Sequence, residues 1–126
     1  MMTALFRRIQ PPKTFRLTVT LVAKYLKIPE SLILRFECWQ NVLFVHRTDR
    51  GGQFVSYRQL RLWWDAIALL FQTCHTPTAL QQLGLQIKED SQKFSDYYKE
   101  MIEDLRQLWV KRRDYLGSLP GKESAA

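Results

Sequence analysis

The segment Arg47-Thr48-Asp49-Arg50-Gly51-Gly52-Gln53-Phe54-Val55-Ser56 constrains this chain more than any other. It joins a short β-prone run, Val42-Leu43-Phe44-Val45, to a return strand, Gln53-Phe54-Val55. Glycine adopts positive φ without steric cost, so Gly51-Gly52 predicts a hairpin tip. Arginines flank that tip, and guanidiniums so placed suit phosphates or base edges. Ser56 then opens Ser-Tyr-Arg-Gln, a capping box in which Gln59 reaches back to the cap. The helix behind it is predicted to reach about Gln72, with Leu60, Trp63, Trp64, Ile67 and Leu70/Phe71 facing inward. Adjacent helix positions point about 100° apart, so Trp63 and Trp64 cannot form one flat stacking face. They are assigned to the core or a dimer interface.

Upstream, Thr18 can cap a helix over Val19 to Lys27, with Val19, Val22, Ala23 and Leu26 on one face. The turn Lys27-Ile28-Pro29-Glu30 leads to a second predicted helix ending near Trp39 or Gln40. Its apolar face is Leu32, Ile33 and Phe36. Two such helices followed by a hairpin read as a winged helix-turn-helix over residues 17–84. Residues 1–16 carry Arg7, Arg8 and Lys13 around Pro11-Pro12, which excludes a continuous helix and suggests a basic arm. Thr76-Pro77 starts a short helix that Gly84 is expected to end. Over 85–117, Ile87, Phe94, Met101, Leu108 and Tyr115 recur every seven residues, with Tyr98, Leu105 and Arg112 interleaved. Ile102, Trp109 and Leu116 widen that stripe. A second copy of such a helix is its most economical partner; folding back on its own domain is the alternative. The tail, 118–126, reads as disordered. The fold class is therefore mainly α with a small β wing, a winged helix-turn-helix followed by a long dimerisation helix.

Charge separates the chain into halves. Residues 1–61 hold eleven Lys/Arg against three acids, a net of +8, while the remainder holds eight against nine. The basic half suits a polyanion and the other half suits protein. An apolar share of 46% with 13% aromatic residues argues for a packed core in one small domain with an extension. No apolar run approaches the roughly 20 residues of a membrane span, and Met1 to Gln10 lacks a signal-peptide core, so no membrane partner and a cytoplasmic, nucleoid-associated location are expected. Cys38 and Cys74 match no zinc or disulfide pattern, and His46 and His75 read as structural or exposed. Two histidines do not assemble into a metal set or a nucleophile–base pair, so neither an enzyme nor a cofactor is expected.

Val22-Ala23-Lys24, Ile28, Leu34-Arg35-Phe36-Glu37, Arg47-Thr48 with Gly51-Gly52, and Ser56 opening a helix that contains Leu60 resemble the DNA-binding domain of MerR-type regulators. The similarity spans about residues 17–116. It departs at Gln40-Asn41, where that family usually has Gly before the wing, and in the wing itself, where Gly51-Gly52-Gln53-Phe54-Val55 lacks an expected Arg. What the resemblance implies is a homodimeric repressor of an inverted-repeat operator in double-stranded DNA, without its own small-molecule sensor. Such minimal repressors accompany mobile elements, including type V-K CRISPR-associated transposons, and RNA polymerase is a further partner they meet. An excisionase-like or architectural DNA-bending factor is the alternative.

On this reading Arg35 is the base reader, against a surface salt bridge with Glu30 or Glu37. Arg47 and Arg50 are wing contacts, against solvated loop residues. Gly51, Gly52 and Gln53 complete the wing. Ser31 and Thr48 are candidates for phosphate hydrogen bonds, against capping or turn roles. Lys24, Lys27, Arg58 and Arg61 add non-specific charge. The dimer interface would use Phe94, Tyr98, Met101, Leu105, Leu108, Trp109 and Tyr115.

Overall fold

The computed structural model describes residues 2–94 and 97–119, which are mainly helical with one small sheet. The expected tail beyond Leu119 lies outside the described residues. The first helix, α1 (Ala4–Ile9), is capped by Thr3, whose side chain accepts from the Phe6 N–H. Leu5, Phe6 and Ile9 are buried, so this segment is core and not the expected arm. The break foreseen at the prolines occurs at Gln10, at φ 50°, before α2 (Pro11–Thr14). Helix α3 (Val19–Leu26) forms as predicted, with Thr18 accepting from the Leu21 N–H. Lys27 ends it in the left-handed region, its N–H meeting the carbonyls of Ala23 and Lys24.

The second predicted helix does not form. A 3-10 turn, Glu30–Leu32, leads into strand β1 (Ile33–Cys38). Leu32, Ile33 and Phe36 fit a helical face, but so short an apolar run does not distinguish helix from strand. Tertiary pairing decides it. A lone hairpin is marginal in water, and β1 gives β2 (Leu43–Arg47) and β3 (Gly51–Val55) a third strand. The sheet is antiparallel in the order β1-β2-β3, with a register irregularity between Ile33 and Arg35. Among the described residues, α3 is followed by a strand where the second helix of the expected helix-turn-helix was placed.

The inner face of the sheet places Leu43, Val45 and Val55 in the core. Tyr57, Trp63, Ile67 and Phe71 meet it from the segment that follows. Ser56 caps a 3-10 turn (Tyr57–Gln59), not the predicted helix, and α4 (Arg61–Thr73) begins only after Leu60. Gln59 accepts from the Tyr25 hydroxyl instead of reaching back to the cap.

Thr76 caps α5 and Pro77 occupies its first turn, as predicted, but α5 (Pro77–Lys93) runs straight through Gly84. That glycine makes room for a neighbour: an added Cβ would stand 2.9 Å from Trp109 Nε1. The expected continuous helix is broken near Phe94, and α6 (Lys99–Ser118) folds back along α5. Late residues of α6 meet early residues of α5, with Trp109 Nε1 donating to the Leu80 carbonyl at 3.3 Å. Arg112 donates to the carbonyls of Cys74 and Gln72. The alternative noted for this stripe, burial within its own domain, is the one realised. No helix among the described residues is long and apolar enough to cross a membrane.

A buried polar network lies at the end of α5. Asp90 is fully buried on α5 and accepts from Arg58 Nε at 2.6 Å and Nη2 at 2.8 Å, from Tyr97 Oη at 2.6 Å, and from the Thr3 hydroxyl. Tyr97 also accepts from Trp63 Nε1. The Arg58 guanidinium lies 3.9 Å from the Phe94 ring centroid and within cation–π range of Phe6 and Trp63. Tyr97, beyond the end of α5, is thus tied back to Asp90 on that helix. Burial pushes the Asp90 carboxyl up, but the hydrogen bonds from Arg58, Thr3 and Tyr97, with the Arg58 charge, outweigh it and hold it below its ordinary value.

Candidate nucleic-acid interface

Strand alternation sorts the sheet's side chains into two populations. Gly51, at φ 77°, turns the β2–β3 hairpin at the predicted place. Paired residues share a face, and the pairs Phe44–Phe54, His46–Gly52, Arg35–His46 and Glu37–Phe44 all lie opposite the core. Trp39, just past β1, stacks on Phe44 with centroids 5.0 Å apart and meets Phe54 edge-on at 5.6 Å. Phe44 and Phe54 are 4.9 Å apart, and His46 contacts the Phe44 edge at 4.6 Å. Phe54 is 61% exposed and Trp39 43%. The result is an open aromatic surface of three rings and an imidazole.

Glu37 fixes the margin of this surface. Its carboxylate accepts from Trp39 Nε1 at 3.1 Å and lies 2.5 Å from His46 Nε2. Hydrogen bonds from Trp39 and then His46 hold its carboxyl below the usual glutamate range. Gly52 leaves room for the rings: a Cβ there would lie 2.3 Å from Phe44 Cζ, so the Phe44 ring would have to shift. Arg35 stands on the same face, its side chain 66% exposed and 3.7 Å from Glu37. Arg50 is exposed at the hairpin tip.

The residues expected at the site separate sharply. Arg47 points inward, 7% exposed, with Nε and Nη2 on Asp49 at 2.9 and 2.8 Å and Nη1 on Gln53 at 2.9 Å. It braces the hairpin from within, and Gln53 is held with it on the inner face; neither is a wing contact. Arg58, assigned to non-specific charge, is buried on Asp90. Arg35 lies on a strand, not on a recognition helix. Lys24, Lys27, Ser31 and Thr48 are exposed, and the Thr48 N–H donates to the Leu32 carbonyl.

The proposed dimer seam is likewise redistributed. Met101 and Leu105 are buried in the chain's own core, and Leu108 and Trp109 pack against it. Phe94 covers Arg58, Tyr98 meets the Tyr25 hydroxyl, and Tyr115 lies under Arg112. Folding α6 back buries Met101 and Leu105, while Tyr98 and Tyr115 stay exposed at 47% and 51%.

Trp39, Phe44, Phe54, His46 and Glu37 were not singled out from sequence as site residues. Their signal was present as alternation: Phe44, His46 and Phe54 occupy the phase opposite Leu43, Val45 and Val55. Comparison with protein-family models, with curated proteins and with solved structures returns no match for this chain.

Proposed function

We propose that this protein binds nucleic acid through the outer face and tip of its sheet and acts as a DNA-binding regulator. The observation that carries the reading is the solvent-facing Trp39–Phe44–Phe54 surface bordered by Arg35 and Arg50. Exposed aromatic clusters on small proteins mark binding surfaces. Unpaired bases offer π-faces to such rings, each stacked base contributing about 1–3 kcal/mol, while nearby cations hold phosphates. The charge balance supports a polyanionic ligand. Of the eleven cations in residues 1–61, Arg47 and Arg58 are neutralised internally, and Arg7, Arg8, Lys13, Arg16, Lys24, Lys27, Arg35, Arg50 and Arg61 are exposed. Single-stranded DNA is accordingly the favoured ligand.

A second reading keeps the duplex operator and the repressor role. What favours it is the β2–β3 hairpin at the edge of the sheet, whose tip carries the exposed Arg50 in a position to meet a DNA groove or its phosphates. Reading an inverted repeat would then require two copies joined by a surface other than Met101 and Leu105. The test is anisotropy titration with a labelled 20-nucleotide single strand and its duplex. Tighter single-strand binding, lost in Phe54→Ala, supports the first reading, and duplex preference moves the assignment to the second. No binding to either in low salt overturns both.

A further inference from the structure

The groove between α5 and α6 is separate from the sheet and is not used by the proposed function. It encloses about 400 Å³, within the range of small-molecule sites. Phe71, Leu85, Ile87, Ile102, Leu105 and Trp109 make its walls apolar. Among the described residues, the charged ones lining it are Lys88 on α5 and Arg106 on α6, one cation on each wall. Gly84 deepens it by letting the Trp109 indole settle against α5, where it donates to the Leu80 carbonyl.

We propose that this groove binds a small amphiphile with an aliphatic body and an anionic head, such as a medium-chain fatty acid. The body would replace water against the apolar walls, gaining roughly 25 cal/mol per Å² buried. Lys88 and Arg106 would then receive the head group as charge-assisted hydrogen-bond donors. Arg106 already lies 3.3 Å from Glu103, but that pair is solvent-exposed and exchanges at little cost. A concavity of this size fits a single small ligand better than a second copy, which would need a surface of about 800 Å² on each partner. The two rim cations decide the sign of the head group: a cationic amphiphile would meet like charge on both walls.

The experiment is calorimetric titration of the full chain, below micelle-forming concentrations, with dodecanoate, dodecanol and dodecyltrimethylammonium. Dodecanoate is expected to bind at one equivalent, at least tenfold tighter than the other two, and to raise the melting temperature. Exchanging both rim cations (Lys88→Glu with Arg106→Glu) should remove that preference while leaving the unliganded melting temperature unchanged. Leu85→Glu, at a position 60% exposed and therefore neutral for folding, should weaken all three. Equal binding of the three amphiphiles, several weak equivalents, or affinity unaltered in both variants would overturn the proposal. So would sedimentation showing an unliganded dimer that Leu85→Glu dissociates, because a second copy would then occupy the groove.

Discussion

Arg58 and Arg35 use similar neighbours for opposite ends. Each has a carboxylate within ion-pair reach. Arg58 also lies against three aromatic rings, while Arg35 shares the outer sheet face with the aromatic cluster, paired across the strands with His46. Arg58 is 4% exposed, while the Arg35 side chain is 66% exposed. In the helical half, Phe6, Trp63 and Phe94 shield the arginine and Asp90 engages its Nε and Nη2. On the sheet, Trp39, Phe44 and Phe54 cluster with each other and Glu37 engages the ring nitrogens of Trp39 and His46. The difference shows what an arginine–aromatic grouping does under two degrees of enclosure. Enclosed, it locks the chain's path; open, it is left with unused faces and donors for a ligand.

Breaking the enclosed grouping should have the largest effect. Asp90→Ala leaves Arg58 charged and buried without its partner, and is expected to destabilise the fold by about 3–5 kcal/mol in urea unfolding. Replacing both members with well-packed apolar residues should recover most of that loss, because the desolvation of both ions disappears too. Acid should reproduce part of it. The Asp90 carboxyl is depressed in the folded state, so its contribution is complete above the unfolded-state value of about 3.9 and disappears as pH falls through the lower folded-state value. Melting temperature measured between pH 6 and pH 2 should fall more steeply in the natural chain than in the doubly apolar variant.

Breaking the open grouping should instead reduce binding while sparing the fold. Phe54→Ala removes an exposed ring and should weaken single-strand binding by about 1–3 kcal/mol, with a melting temperature within a degree or two of the parent. Gly52→Ala tests the same surface from beneath: its Cβ would displace the Phe44 ring, which can swing outward. A loss of affinity similar to that of Phe54→Ala is expected, measured by anisotropy. Unchanged affinity in both variants would separate the aromatic surface from the function.

Local punctuation was legible in the sequence and enclosure was not. Thr18, Thr76 and the Gly51 turn act through side chains or φ preferences within a few residues, and each sits where its chemistry required. Phe36 was misplaced because its neighbours satisfy both a 3.6-residue and a 2-residue period, and only β2 chooses between them. The seven-residue repeat from Ile87 to Tyr115 was genuine, but periodicity does not name the partner surface. In the structure the buried positions of the stripe meet the chain's own core, beside contacts such as Trp63–Tyr97 and Arg58–Asp90 that join residues more than thirty positions apart. The outer face of the hairpin was readable in principle, since its aromatic phase is as regular as its buried one. The Arg47 and Arg58 assignments failed for a different reason. A positive charge in a sequence does not reveal whether a carboxylate has already claimed it.

That last distinction yields the smallest predicted effect, and it is one of slope and not of affinity. An exposed arginine that meets a phosphate releases condensed counterions, whereas one neutralised inside the protein does not. Log K for a single strand falls with log[salt] by roughly 0.7 for each phosphate neutralised. Arg50→Ala and Arg35→Ala should therefore each make the slope shallower by about 0.7, and the double variant by about twice that. Glu37→Gln should leave the slope near its parent value, since it removes no cation, even though it loosens Trp39 and His46. Titrations from 50 to 300 mM salt resolve differences of this size. If Arg50→Ala leaves the slope unchanged while Lys24→Ala flattens it, the polyanion tracks the α3 end and not the hairpin tip, and the boundary between the enclosed and open halves must be redrawn around Arg50.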